Sequence, residues 1–202
     1  MAKLYFKFGA VGSSKTAQAL MAKFNYEEKE KKVWLIKPAS AHRDDRVDVF
    51  GNLTTTVKSG IGLNAIAEAI RREDNLSEKF ESRRAKRNTD VIICDDCQFL
   101  TAAQVEQLKE IVDTYEIPVL CFGLRSDGGT CLFEGSRRLF EIADSISEVK
   151  SICVCGRKAT VNGCFSPEGR LMTESGAVGE RYEGLCYHCY KKMLSGQMEE
   201  PS

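Results

Sequence analysis

At 202 residues the chain is long enough for one domain with a proper core, or for one domain and a small appendage. Lysine plus arginine and aspartate plus glutamate both number 29, so the zero net charge offers no electrostatic case for nucleic acid or a membrane surface, and a small-molecule partner is expected instead. No apolar run approaches the roughly 20 residues that span a bilayer and the first residues lack the order of a signal peptide, which points to a cytoplasmic protein.

In such a reducing compartment the nine cysteines are read as metal ligands where clustered and as small core hydrophobes where isolated. Cys94, Cys121 and Cys131 fall in the second group. Leu4 to Phe8 reads as a short apolar strand, and Gly9 to Thr16, GAVGSSKT, spells a form of the phosphate-binding loop G-x-x-x-x-G-K-[ST]. A helix-forming run, AQALMAKFNYEEK, follows. In that strand-to-helix turn the backbone N–H groups of Gly9, Ala10, Val11, Gly12, Ser13 and Ser14 make an anion site. Lys15 reaches the β- and γ-phosphates, and Thr16 binds Mg²⁺ through its hydroxyl. The implied ligand is a nucleoside triphosphate; the competing reading is a Gly/Ser turn into an ordinary helix. Ser14 stands where the loop usually has a glycine free to take positive φ.

Val33 to Lys37 is the next apolar strand, stopped by Pro38, and the polar stretch to about Gly60 reads as a long loop or hairpin. Leu63, Ile66, Ala67 and Ile70 have helical spacing. Arg71 to Asn88 is almost wholly charged, and its interleaved acids favour a solvated helical face over a nucleic-acid patch. Val91 to Cys94 is a buried strand ending in Asp95-Asp96. Thr101 opens a helix with Gln104 placed for a capping box and Val105, Leu108, Ile111 and Val112 on one face. Pro118 to Phe122 is another strand, closed by Gly123; Ser136 to Ile142 is a short helix, and a final strand lies near Ile146 to Ile152. Strands and helices that alternate, with continuously apolar strands, predict an α/β fold: a parallel sheet covered by helices on both faces.

Two sites follow from spacing. Asp95, at the carboxyl end of a buried strand, is a candidate for Mg²⁺ or its waters, and Asp96 could accept a proton from an attacking hydroxyl; the alternative is a pair of polar residues at a strand exit. In the last fifty residues Cys153 and Cys155, then Cys186 and Cys189, form C-x-C and C-x-x-C pairs able to close a tetrahedral, structural Zn²⁺ site. Cys164 and His188 are alternative fourth ligands. The Gly156 to Leu185 segment, rich in glycine, is expected to be a loop tethered by the metal and free to cover a ligand.

Taken together the chain resembles the zinc-containing thymidine kinases of bacteria, phages and vertebrate cytosol. The resemblance rests on LYFKFGAVGSSKT, WLIKPA, VKSGIGL, DDCQFLT, IPVLCFGLRSD, LFEGS, ICVCGRKA and ERYEGLCYHCYKK, in that order and over nearly the whole length. It implies transfer of the ATP γ-phosphoryl group to the 5′-hydroxyl of deoxythymidine, with Mg²⁺ and a structural Zn²⁺, in a homotetramer. It also implies a P-loop domain over 1–148, a zinc and lasso domain over 149–195 and a flexible tail over 196–202. In the family's D-E-x-Q-F motif the second acid is the general base, matched here by Asp96, with Asp95 and Gln98 matching its Asp and Gln. The zinc ligands fall on Cys153, Cys155, Cys186 and Cys189, and the lasso on the segment between the pairs. Tyr182 matches the lasso aromatic near the base, Phe99 and Phe133 match other pocket aromatics, and Arg43 matches the arginine of a D-T-R motif. For Phe99 plain core packing is the alternative.

The departures from that family cluster at the chemistry. Asp96 stands where the family has glutamate, and Ser14 where it has glycine. Ala41-His42-Arg43 lacks the acid of the D-T-R motif, Gly60 sits where an arginine is common, Gly128 follows Asp127 where an aromatic is usual, and Ala177-Val178 replaces Gly-Gly. Weakened activity or an altered nucleoside preference is the expectation drawn from them, with a nucleotide- or nucleoside-binding protein impaired in transfer as the rival reading.

Overall fold

The computed structural model describes residues 1–39, 50–56, 62–173 and 181–197, with backbone alone for 50–56 and 62–66. In chain order the elements are β1 (Leu4–Phe8), α1 (Lys15–Glu27), β2 (Val33–Pro38), β3 (Phe50–Thr56), β4 (Gly62–Ile70), α2 (Leu76–Arg84) and β5 (Val91–Cys94). A 3₁₀ turn (Cys97–Phe99), α3 (Ala102–Tyr115), β6 (Val119–Gly123), α4 (Glu134–Ile142) and β7 (Ser145–Glu148) follow. The chain then continues through β8 (Val161–Phe165), β9 (Leu171–Met172), β10 (Arg181–Leu185) and α5 (Tyr187–Leu194).

Strands β1 to β7 form one sheet in the order β3-β4-β2-β5-β6-β1-β7. Every pairing in it is parallel except β3 with β4. Successive strand residues turn to opposite faces, so a strand buried on both sides must be apolar throughout. In β5, Ile92 and Cys94 pack with Phe80, Val105, Leu108 and Leu139 of α2, α3 and α4. Val91 and Ile93 face the other way, onto Ala19 and Leu20 of α1. This is the doubly covered α/β sheet expected, with α3 opened by the expected capping box: Gln104 N donates to Thr101 Oγ1 and Thr101 N to Gln104 Oε1, each at 3.1 Å. The Gln104 side chain also donates to the carbonyls of Arg71 (2.6 Å) and Asp74 (3.1 Å), fixing the turn before α2. No helix among the described residues is long and apolar enough to cross a membrane.

Four expectations are corrected. Residues 63–70 are not a helix but strand β4, paired with β2 (Ile36↔Glu68, Pro38↔Ile70) and along its length with β3. Ala67 packs toward α1 and Ile70 toward Leu76 and Phe80, so their three-residue spacing reflects a strand buried on both faces rather than one helical stripe. The hairpin alternative for the stretch after Pro38 is met by β3 as its first arm, though its second arm is β4; residues 40–49 and 57–61 lie outside the described set. The last strand of the sheet is Ser145–Glu148, ending four residues before Ile152. Cys94 and Cys121, opposite each other on β5 and β6, are buried, but Cys131 is exposed, because its N–H donates to Asp127 Oδ1 (2.8 Å) in a polar turn.

The fourth correction concerns 156–185, which is not a bare tethered loop. β8 lies antiparallel to both β10 and β9 in a second sheet, and all five β8 residues are buried. Val161, Phe165 and Leu185 join Tyr190 and Met193 of α5 in a separate small core. Its apolar signal was hidden by Asn162 and Gly163 in mid-strand.

Candidate active site at the strand ends

β1 ends at Phe8, and Gly9 N donates to the carbonyl of Gly123 at 3.2 Å, placing the phosphate loop beside the end of β6. Ser13 N closes the turn on the Ala10 carbonyl (3.3 Å). Ser14 caps α1 with φ 61° and ψ 28°, the left-handed region, and its hydroxyl makes no capping bond. The first turn of α1 carries no acidic side chain, so the positive end of the helix is not neutralised there. Lys15 folds back over the loop, donating to Ala10 O (2.7 Å) and Ser13 Oγ (3.0 Å). Burial brings its pKa down to about 8, against the opposing charges of Asp96 and Asp95. A phosphate group would supply the anion that this desolvated ammonium lacks.

Asp95 follows β5 and is only 1 % exposed. Thr16 Oγ1 donates to Asp95 Oδ2 at 2.8 Å, joining the first turn of α1 to the end of a strand 79 residues away in sequence. Burial, then the neighbouring charge of Asp96, push the Asp95 carboxyl up to about 6, while the Thr16 hydrogen bond and Lys37 oppose the shift. Two hard oxygen ligands beside a phosphate loop fit Mg²⁺, which commonly takes one or two protein ligands and completes its shell with phosphates and water.

Asp96 takes φ 52° and ψ 35°, so the chain turns sharply out of the sheet. Lys37 Nζ, from the end of β2, lies 2.8 Å from Asp96 Oδ2, and Gln98 Nε2 donates to Asp96 Oδ1 at 3.2 Å. Gln98 is itself held by Leu124 N, which donates to its Oε1 at 3.0 Å. Both oxygens of the carboxylate are therefore engaged. α4 presses on this turn: a Cβ on Gly135 would lie 2.5 Å from the Cys97 carbonyl and 2.8 Å from that of Leu100.

Phe99 and Phe133 are half-buried and meet edge to face, with centroids 5.4 Å apart. They are brought together, and neither belongs to the buried core. Tyr182, 37 % exposed, sits on β10 opposite Cys164, in the other sheet. Arg43 lies outside the described residues, as do Ala41, His42, Gly60, Ala177 and Val178.

The four cysteines of the spacing argument converge. The sulfur atoms of Cys153, Cys155, Cys186 and Cys189 all lie within 4.8 Å of one another. The Arg157 backbone N–H leads the influences that bring the Cys155 thiol down to about 7, while burial, then hydrogen bonds from Cys155, Cys186 and Cys153, push the Cys189 thiol up to about 12, so without a metal the group shares its protons. Cys164 is buried in β8, and neither it nor His188 belongs to this group. Four soft donors gathered this closely are compatible with structural zinc.

A family model described as "Thymidine kinase" matches residues 2–190. The chain belongs to the thymidine kinase family. It is 39% identical over 198 residues to a thymidine kinase of Photobacterium profundum, covering 96% of this chain and 99% of that protein. It is 37% identical to one of Shewanella oneidensis with the same coverage, and 35% identical to that of Enterobacteria phage T4, covering 92% of this chain and 94% of the phage protein. Membership makes the chain an enzyme that phosphorylates a nucleoside, thymidine. Sequence reading missed Lys37, which sits at a strand end beside Asp96 only because β2 neighbours β5. It also missed Asn162, whose Oδ1 accepts from Val11 N in the phosphate loop at 2.8 Å. An asparagine inside an apolar strand was the one available signal.

Proposed function

We propose that the chain transfers the γ-phosphoryl group of ATP to the 5′-hydroxyl of deoxythymidine, giving dTMP and ADP. The observation that carries this is the Thr16–Asp95 hydrogen bond of 2.8 Å beside Lys15, which unites a phosphate loop with an acidic strand end. In this reading Lys15 and the loop from Gly9 to Ser14 bind the phosphates, without the N–H groups of Gly9, Val11 and Ser13, which donate to the Gly123 carbonyl, Asn162 Oδ1 and the Ala10 carbonyl; Thr16 and Asp95 hold Mg²⁺, and Gln98 orients Asp96. Bound Mg²⁺ would neutralise charge on the transferring group. Asp96 takes the proton of the hydroxyl as its oxygen bonds to the γ-phosphorus and the bond to the departing ADP oxygen breaks. Phe99, Phe133, Tyr182 and Arg43 contact the nucleoside. The family resemblance further supports a homotetramer, a phosphate-binding unit over 1–148, a zinc-bearing one over 149–195 and a cytoplasmic setting.

Asp96 is one methylene shorter than the family's glutamate, and its carboxylate is already held by Lys37 at one oxygen and Gln98 at the other. That observation favours slow turnover, and in the extreme a binding protein impaired in transfer. Radiolabelled γ-phosphoryl transfer across a panel of nucleosides is the test. Label should pass to deoxythymidine, Asp96→Asn should slow it by about 100-fold or more, and Asp96→Glu should speed it. Label released to water at a rate indifferent to deoxythymidine would overturn the reading, and undiminished transfer in Asp96→Asn would remove Asp96 as the base.

A further inference from the structure

The phosphate loop is held from outside as well as by its own turn. The peptide unit between Ala10 and Val11 is a rigid plane. Its carbonyl accepts from Lys15 Nζ at 2.7 Å, and its N–H donates to Asn162 Oδ1 at 2.8 Å. Whatever sets the angle of that plane therefore sets where the Lys15 ammonium rests. Asn162 is 2 % exposed, and its own angle is fixed by a second bond, Nδ2 donating to the Ser126 carbonyl at 2.5 Å. Only one orientation of the amide satisfies both partners, since an N–H faces its oxygen and a carbonyl its nitrogen.

Two further contacts press the same place. Ala10 is counted with Val161, Leu185 and Tyr190 in the small core of the second sheet, not with the core of the large one. On β10, Gly184 leaves room for the loop: a Cβ there would lie 2.7 Å from the Val11 carbonyl and 3.4 Å from the Ala10 Cβ. β8 thus grips the peptide between Ala10 and Val11, and β10 bears on the one after it.

We infer that Asn162 is a positioning residue for Lys15, and that the second sheet sets the loop that receives the triphosphate. The inference rests on reading that loop as the ATP site. It makes the C-terminal sheet part of ATP binding as well as a cover for the nucleoside. Breaking one hydrogen bond to a loop of this kind changes affinity by about tenfold.

Steady-state kinetics of Asn162→Ala, Gly184→Ala and Lys15→Ala on the full chain test this, with KM measured separately for ATP and for deoxythymidine. Asn162→Ala and Gly184→Ala should each raise KM for ATP by about tenfold while KM for deoxythymidine stays within about twofold. A merely structural role would move both constants together, and that result, or no change in either, overturns the inference. Gly184→Ala reports independently if Asn162→Ala does not fold, and deoxythymidine binding by calorimetry confirms a folded site in each variant. If Lys15→Ala leaves ATP binding intact, the assignment of the loop to ATP is what falls, and the brace falls with it; a weakened Lys15→Ala with normal Asn162→Ala and Gly184→Ala removes the brace alone.

Discussion

Ser14 and Asp96 share a backbone state that L-residues avoid, with φ of 61° and 52°, and both belong to the proposed active site. Left-handed backbone costs a residue with a Cβ roughly 1–2 kcal/mol, with aspartate among the more tolerant types. For Ser14 a glycine would remove that cost but lose about 0.5–1 kcal/mol to the freer unfolded chain. The relief is the larger of the two, so Ser14→Gly should stabilise the protein by about 0.5–1 kcal/mol, raising its calorimetric midpoint by about 1–4 °C. A lowered midpoint would mean that the serine side chain holds the loop by a contact stronger than the strain. The need for positive φ was readable in GAVGSSKT, because the motif itself demands it. The engagement of Asp96 was not, since Lys37 reaches it only through the order of strands in the sheet.

Among the elements, β1 is anchored at its start by one carboxylate. Asp144 Oδ2 accepts from Leu4 N at 2.7 Å, and its Oδ1 accepts from Lys109 Nζ of α3 at 2.8 Å. The Lys109 hydrogen bond, then that of Leu4, hold the Asp144 pKa below its ordinary 3.8. A depressed carboxylate contributes stability that is present above its unfolded pKa and lost as pH falls through the folded one. Between pH 5 and pH 3 the wild type should therefore lose more stability than Asp144→Asn, which has no such group to protonate; parallel denaturation curves across that range would exclude the contribution.

The legibility of the elements divides along similar lines. The start of α3 and its buried face were readable because Thr101 and Gln104 are a local signal and its apolar face has a single period. β4 was misread because Ala67 and Ile70 answer to two different layers, and no local signal distinguishes that from one helical face. The second sheet was missed for want of length: β9 has two residues and β8 five, two of them Asn162 and Gly163.

At the scale of the molecule, a large parallel sheet and a small antiparallel one meet at the phosphate loop, and the small one has little apolar core of its own. A metal held by the four cysteines would stabilise a unit with so small a core, since metal ligation can substitute for hydrophobic burial. Elemental analysis of protein purified without added metal should find about one zinc per chain. Removing it should speed hydrogen exchange in β8 and β10 while β5 and β6 stay protected. Absence of zinc with the four cysteines cross-linked as disulfides would sink the site. The four-cysteine cluster was legible because its spacing is a covalent fact of the chain, whereas the attachment of that unit to the loop was not, depending as it does on one amide placed in space. Gly135 carries a consequence for how this family member can drift. With the Cys97 carbonyl 2.5 Å from where its Cβ would stand, α4 has no freedom there, although Arg137 two residues on faces solvent. Lineages descended from this chain can rewrite Arg137, but the first turn of that helix is tied through the Cys97–Leu100 turn to the Asp96 carboxylate and is inherited with it.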